Sequence, residues 1–171
     1  MKIFLTGMPG CGKSTFGRKV ARELDLEFID LDKEIVKAEE LSVSELFELK
    51  GEDHFRNIES QLLKDISLAN DNFVLATGGG APCFFDNMDF MNEQGYTVYI
   101  DTPIDILLER LSLSGINKRP LVKKIGEDNL LEGLTEKLNY RLPFYKKAKK
   151  IFKYNISLET DIVRYFQAKS I

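Results

Sequence analysis

The chain has 171 residues, of which 43% are hydrophobic and 30% charged, a composition typical of one globular domain with a sizeable core. Its formal net charge of −3 argues against broad electrostatic attraction to nucleic acid or acidic membranes. No stretch approaches the ~20 apolar residues of a membrane span, and no secretion signal is recognisable. One histidine and two cysteines leave little material for a zinc site, a disulfide framework or a histidine-dependent triad. We therefore expect a single cytoplasmic domain over residues 1–171, with no nucleic-acid or membrane partner.

A glycine-rich motif follows the first predicted strand. Residues 2–6 (KIFLT) are predicted as a strand and residues 13–25 as a helix, and the stretch 7–14 at their junction (GMPGCGKS) matches G-x-x-x-x-G-K-S. Such a loop wraps backbone N–H groups around a phosphate, and the following helix directs its positive end to the same place. Lys13 would reach the outer phosphates, and Ser14 would offer its hydroxyl to Mg²⁺. The alternative is a glycine-rich turn with an incidental lysine, and the strand and amphipathic helix around the motif argue against it.

Two aspartates follow the second predicted strand, residues 27–31 (EFIDL). Asp30 and Asp32 would face the same side if the strand continued past Leu31, because side chains alternate along a strand. One carboxylate could hold Mg²⁺ through its water shell, and the other could accept a proton from a substrate hydroxyl. Alternatively, Asp32 could cap the next predicted helix, which would explain one aspartate but not two.

The remaining predicted elements continue the alternation of strands and helices. Further strands are predicted at 73–77, 96–101 and 151–156, and further helices at 32–40, 43–50, 53–69, 85–94, 104–112, 127–148 and 158–169. This order predicts an α/β fold, a five-stranded parallel sheet with helices on both faces. Ligands of such sheets collect at the carboxyl ends of the strands, which is where the glycine-rich motif and the two aspartates would lie.

Two segments are predicted to leave this core. Residues 32–70 place several short helices between the second and third strands, and we expect them to form a substrate-binding segment. Residues 113–126 carry glycines, a proline and four basic residues, a composition that favours a mobile lid over phosphates.

Three successive glycines follow the third predicted strand. Gly78, Gly79 and Gly80 would expose backbone N–H groups to a close ligand, although a flexible turn would have the same composition.

Arginines are scarce, since the chain has 17 lysines and 7 arginines. An arginine away from a helix surface is favoured for its planar guanidinium, which grips carboxylates and phosphates with two hydrogen bonds. The candidates are Arg56, Arg110, Arg119 and Arg141. For Arg110, a helix-surface residue paired with Glu109 or another neighbour is an equally good interpretation.

These motifs, taken together, resemble the shikimate kinase family. The stretches GMPGCGKST, FIDLD, KGEDHFRNIE, ATGGGAP, KRPL and YRLPFY occur in the family's order between residue 3 and about residue 148. The resemblance implies a monomeric P-loop kinase related to the nucleoside monophosphate kinases. It further implies transfer of the γ-phosphate of ATP to the 3-hydroxyl of shikimate, with Mg²⁺, on the route to chorismate and the aromatic amino acids.

The resemblance also implies roles for individual residues. The ATP phosphates would be held by the glycine-rich loop, namely Gly10, Cys11, Gly12, Lys13, Ser14 and Thr15. Ser14 and Asp30 would serve the metal. Lys13 and Asp32 would take part in catalysis.

On the acceptor side, the resemblance implies that Asp32 holds shikimate hydroxyls and serves as base. Arg56 and Arg141 resemble the pair that grips the shikimate carboxylate, and Gly79 resembles the backbone donor to a ring hydroxyl. Arg119 resembles a catalytic lid arginine that also contacts ATP. The likeness fails near the end of the chain, where the family often has a basic residue and a proline beside adenine. Here residues 155–161 (NISLETD) contain neither, and the adenine contacts, among Arg110 and residues 156–158, stay open.

Three other functions are compatible with part of this pattern. One is a kinase of the same fold for a sugar acid or a nucleotide, against which the combination of the Asp-x-Asp pair, the triple glycine and Arg141 argues. Another is a GTP switch, which would read guanine with Asn-Lys-x-Asp; the nearest string, NKRP at 117–120, lacks the aspartate. The third is a nucleotide-binding module without turnover, which would have no use for both Asp32 and Arg141.

Overall fold

Five parallel strands form the centre of the molecule in the computed structural model, which describes residues 1–113 and 129–169. They are β1 (Lys2–Thr6), β2 (Glu27–Asp30), β3 (Phe73–Ala76), β4 (Tyr96–Asp101) and β5 (Lys150–Lys153). Their order across the sheet is β2-β3-β1-β4-β5, and all four pairings are parallel. The chain leaves β1 towards β2 on one side and leaves β3 towards β4 on the other. A crevice is expected at the carboxyl ends of β1 and β3, where these directions diverge.

Helices cover both faces of this sheet, as the strand–helix alternation predicts. They are α1 (Lys13–Glu23), α2 (Leu31–Glu39), α3 (Val43–Leu49), α4 (Gly51–Ala69), α5 (Asn87–Gln94), α6 (Ile104–Leu113), α7 (Leu130–Tyr145) and α8 (Leu158–Gln167), with a 3₁₀ turn at Ala81–Cys83. Ile3 and Leu5 belong to one buried cluster, which includes residues of α1, α6, α7 and α8. Phe4, between them, belongs to a second cluster with residues of α2 to α5. The prediction of a parallel sheet between two helical layers is confirmed.

Two elements end earlier than the sequence predicts, the last strand and helix α7. The last strand ends at Lys153 instead of residue 156, because Asn155 turns the chain by accepting a hydrogen bond from the Ser157 N–H (2.7 Å). Helix α7 ends at Tyr145, three residues short of its prediction. Residues 114–128, which hold Arg119 and all but the first residue of the predicted lid, lie outside the described residues.

None of the helices described here has the length and apolar character needed to span a bilayer.

Candidate active site

A cavity of about 780 Å³ opens at the carboxyl ends of β1, β2 and β3. Its walls come from the glycine-rich loop and α1, from the β2–α2 junction, from the segment after β3 and from α6. Among the predicted site residues it brings together Lys13, Ser14, Asp30, Asp32 and Gly79. Phosphate-loop and acceptor-side candidates therefore face one space.

The glycine-rich loop adopts a conformation that side chains disfavour. Gly7, Gly10 and Gly12 have φ angles of 137°, 85° and 98°. A Cβ atom at Gly12 would lie 2.6 Å from the ring of Phe16. Cys11 is fully buried within the core, so it could contact a nucleotide only through its backbone. The loop leads directly into the N-terminus of α1, the arrangement that binds anions.

Lys13 lies over the loop to which it belongs. Its ammonium group donates hydrogen bonds to the carbonyl oxygens of Gly7 (2.8 Å) and Met8 (3.0 Å), and the residue is 8% exposed. The charge is therefore held beside the backbone that would cradle a phosphate chain.

Ser14 and Asp30 form the predicted metal pair. The Ser14 hydroxyl donates to Oδ2 of Asp30 at 2.7 Å. A hydroxyl and a carboxylate are oxygen donors of the kind that Mg²⁺ prefers, so these residues fit a hydrated ion. The described part of the chain holds no cluster of three or more histidine, cysteine or acidic side chains that could bind a metal.

Asp32 lines the cavity from a helix and not from an extended strand. The strand ends at Asp30 and Leu31 is the first residue of α2, each one residue earlier than predicted, so the two aspartates do not alternate along one strand. Asp32 lies in the first turn of α2, where its charge also suits the helix dipole. The N-cap position belongs to Asp30, which makes no side-chain capping bond. Capping therefore does not explain Asp32.

Arg56 is buried on α4 beside Glu59, a residue that the sequence predictions missed. Its Nη1 donates to Oε2 of Glu59 at 2.7 Å, and its Nη2 donates to Oε1 of Glu52 at 3.1 Å. The guanidinium carbon also lies 4.5 Å from the centre of the Phe84 ring. Glu59 is completely buried, and within the described structure its Oε1 has no hydrogen-bond partner. The signal available in the sequence was the spacing of one helical turn after Arg56.

Burial dominates the ionisation of Glu59. It raises the pKa of Glu59 to about 7, Arg56 opposes this rise, and the carboxylate of Asp32 adds to it. Burial lowers the pKa of Arg56, but Glu59 and Glu52 outweigh that effect, and the net pKa is raised. Arg56 therefore stays a cation, while Glu59 exchanges a proton near neutral pH.

The three glycines after β3 lie so close to other side chains that a Cβ atom would clash at each of them. A Cβ atom would lie 2.4 Å from Oε1 of Glu59 at Gly78, and 2.6 Å from Nη2 of Arg56 at Gly80. At Gly79 it would lie 2.6 Å from Pro9 and 3.1 Å from Nη1 of Arg141, itself a buried arginine on α7. Close approach, more than flexibility, explains this run of glycines.

Arg110 hydrogen-bonds to the glycine-rich loop, and not to a neighbour on the surface of its own helix. Its Nη1 donates to the carbonyl of Gly10 at 3.1 Å and its Nη2 to the Tyr154 hydroxyl at 2.8 Å. The guanidinium also lies over the Tyr154 ring, 4.7 Å from its centre. Ile156, two residues after Tyr154 and one of the candidates for adenine contact, is 98% exposed.

The parallel sheet, the phosphate-type loop and the adjoining acidic and arginine-lined cleft define the fold and site of a P-loop kinase. The family model described as shikimate kinase matches residues 9–169. A shikimate kinase of Bacteroides fragilis is 43% identical over 152 residues, which cover 89% of this chain and 84% of that protein. The chain belongs to the shikimate kinase family and is an ATP-dependent kinase.

Solved structures are similar over almost the whole chain. A 1.7 Å crystal structure of shikimate kinase from Bacteroides thetaiotaomicron has a TM-score of 0.88 and 38% identity, covering 99% of this chain and 98% of that one. A shikimate kinase from Acinetobacter baumannii, in complex with shikimate, has a TM-score of 0.87 and 32% identity, covering 99% and 92%.

The raised pKa of Glu59 predicts a specific pH dependence of stability. Between its ordinary pKa of 4.5 and the folded-state value of about 7, the folded state binds more protons than the unfolded state. The free energy of unfolding should therefore fall as the pH rises through this window. Glu59→Gln removes the titration, so wild type should lose stability relative to this variant between pH 5 and pH 8.

Denaturant unfolding of both proteins at several pH values measures this difference. Glu52→Gln, which removes the more exposed carboxylate on the same arginine, is the matched control and should not reproduce the trend. Parallel pH profiles of wild type and Glu59→Gln would contradict the prediction.

Proposed function

We propose that this chain transfers the γ-phosphate of ATP to the 3-hydroxyl of shikimate, forming shikimate 3-phosphate and ADP. The observation that carries the proposal is the meeting of a phosphate-type loop, Asp32 and the buried pair Arg56 and Arg141 around the triple glycine. Relatives named shikimate kinase, one of them solved with shikimate, support it. The product would serve the synthesis of chorismate and the aromatic amino acids.

The acceptor side suits a small acid that carries several hydroxyl groups. Arg56 and Arg141 approach Gly80 and Gly79, so a planar carboxylate placed against this backbone would meet both guanidinium groups. Gly79 would add a backbone donor to a ring hydroxyl. Asp32 would bind the acceptor hydroxyls and take the proton from the attacking one.

The donor side would use residues 10–15 to hold the phosphates of ATP. Lys13 would follow the phosphoryl group as charge develops on it, because electrostatic stabilisation dominates this chemistry. Ser14 and Asp30 would hold Mg²⁺, which neutralises phosphate charge when it is bound. Arg119 would contribute a second cation from the proposed lid at 113–126.

The wider context of the protein is part of the same proposal. Residues 1–171 would form one kinase domain, with 32–70 as its substrate-binding segment. The protein would act as a cytoplasmic monomer on small molecules, without a nucleic-acid or membrane partner.

Substrate choice is the first test of this function. ADP release with ATP and Mg²⁺ should be much faster with shikimate than with gluconate or AMP. AMP has no carboxylate for the arginine pair, and gluconate, an open chain, does not hold its carboxylate and hydroxyls in the fixed arrangement of a ring. A coupled assay with all three acceptors measures this. Equal or faster turnover with gluconate or AMP would exclude the proposal in favour of a sugar-acid or nucleotide kinase.

Removal of the loop lysine should abolish most of the activity. We expect Lys13→Ala to lower kcat by on the order of 100-fold or more, because the charge beside the transferring phosphoryl group is lost. Lys19→Ala, on the outer side of the same helix and paired with Glu159, is the control. Near-normal kcat in a folded Lys13→Ala protein would show that the loop is not catalytic.

The two aspartates should fail in different ways. Asp32→Asn should weaken shikimate binding and lower kcat by on the order of 100-fold, because an amide cannot accept the hydroxyl proton. Asp30→Asn should instead raise the Mg²⁺ concentration needed for half-maximal activity. Shikimate and Mg²⁺ titrations of both variants measure these effects. The reverse pattern would mean that the roles of the two aspartates are exchanged.

A further inference from the structure

Tyr145, the last residue of α7, joins three parts of the cleft from within the core. It is completely buried, and its hydroxyl donates to the carbonyl oxygen of Gly79 at 2.5 Å. The same hydroxyl lies 3.8 Å from the sulfur of Met8 in the glycine-rich loop. Its ring stacks on Tyr99 of β4, with 5.0 Å between ring centres and 25° between planes. One side chain thus contacts the phosphate loop, the triple glycine and the sheet.

The hydrogen bond to Gly79 fixes a peptide plane and not merely one oxygen. The carbonyl of Gly79 and the N–H of Gly80 belong to the same planar unit and point in opposite directions. Glycines resist rotation least of all residues, so a run of three needs an outside contact to hold one orientation. The carbonyls of Gly78 and Gly80 accept backbone hydrogen bonds from Ala81 (3.2 Å) and Cys83 (2.9 Å), and the Tyr145 hydroxyl holds the carbonyl of Gly79 between them.

The fixed peptide lies between the two buried arginines. Arg141 is on the same helix as Tyr145, one turn earlier, and approaches Gly79, while Arg56 approaches Gly80 from α4. Burial raises the pKa of Tyr145, so its hydroxyl keeps its proton and stays a donor. Tyr145 and Arg141 therefore reach the glycine run from the same helix, and the peptide that Tyr145 holds is the one that both guanidinium groups face.

We propose that the Tyr145 hydroxyl is a positioning group for the acceptor. It holds the Gly79–Gly80 peptide in the orientation in which this glycine run, Arg56 and Arg141 together receive one carboxylate. The proposal rests on the function proposed above. Tyr145 acts through Gly79 and makes no contact with the acceptor itself. Its loss should therefore affect acceptor affinity and leave the handling of ATP intact.

The test compares Tyr145→Phe with Tyr99→Phe. Both variants keep the stacked rings and lose one hydroxyl, but the Tyr99 hydroxyl donates to Asp101 (3.2 Å) and not to the glycine run. Tyr145→Phe should raise the Kd for shikimate about fivefold to tenfold, the worth of one hydrogen bond. Its KM for ATP, and kcat at saturating shikimate, should stay close to wild type, and Tyr99→Phe should change none of the three.

Hydrogen exchange of the ligand-free proteins gives a second readout that needs no substrate. Exchange in residues 77–83 should be faster in Tyr145→Phe than in wild type or Tyr99→Phe, at equal melting temperature or after correction for any loss of stability. Unchanged exchange there would overturn the proposal.

The kinetic outcomes separate this proposal from the proposed function. An active wild type with an unchanged shikimate Kd in Tyr145→Phe would overturn the positioning role alone. Equal losses of affinity for shikimate and ATP would also overturn it, since they would mark a general structural role. A wild type inactive on shikimate would refute the proposed function, and the exchange experiment would then decide whether Tyr145 holds the loop.

Discussion

The buried ion pair between Arg56 and Glu59 is the constraint around which the proposed acceptor side is built. Two charges removed from water are tolerated only where attraction and hydrogen bonds offset the loss of solvation. Placement one turn apart on α4 brings the guanidinium and the carboxylate together at 2.7 Å without any long-range contact. The pair then needs a neighbour that admits it closely, and the glycine backbone at 78–80 is that neighbour. The absence of side chains at Gly78 and Gly80 follows from the charges buried on α4, whereas Gly79 leaves room for Pro9 and for Arg141 of α7.

The sheet order explains why this acceptor side adjoins the phosphate loop. Strands β1 and β3 are neighbours, with Leu5 paired to Ala76, although about 70 residues separate them along the chain. Thr77 continues the contact, since its N–H and its hydroxyl both donate to the carbonyl of Leu5, at 3.1 Å and 3.0 Å. The loop after each strand therefore emerges at the same edge. A phosphoryl donor on one loop and an acceptor on the other would be side by side.

Features carried by short stretches could be predicted from the sequence. The glycine-rich loop, the strands and the arginines at 56 and 141 each have a local pattern. The structure brings the loop to the cavity and buries the two arginines beside it, against Gly80 and Gly79. Helical spacing offered Glu59 as a partner of Arg56 but could not show that it is buried. Tyr145 has no such local signal, because its contacts are with segments far away in the chain. Asp32 does face the cavity with Asp30, but from the first turn of α2 and not from a strand. The strand pattern of EFIDL does not reveal that α2 begins at Leu31. Periodicity locates elements, but tertiary packing decides where they end.

The charges of the cleft also determine how an acid can be accommodated there. Arg56 and Arg141 bring two positive charges, and Asp32 and Glu59 bring two carboxyl groups within electrostatic reach of each other. An incoming carboxylate adds negative charge beside Glu59 and favours the protonated form of that residue. Under the proposed function, protonation of Glu59 would relieve that repulsion, and its raised pKa favours this, while Glu52 would still hold Arg56 through Nη2. A carboxylate at position 59 would compete with such an acceptor for Arg56, so the burial that disfavours the Glu59 charge would also favour the acceptor's charge in its place.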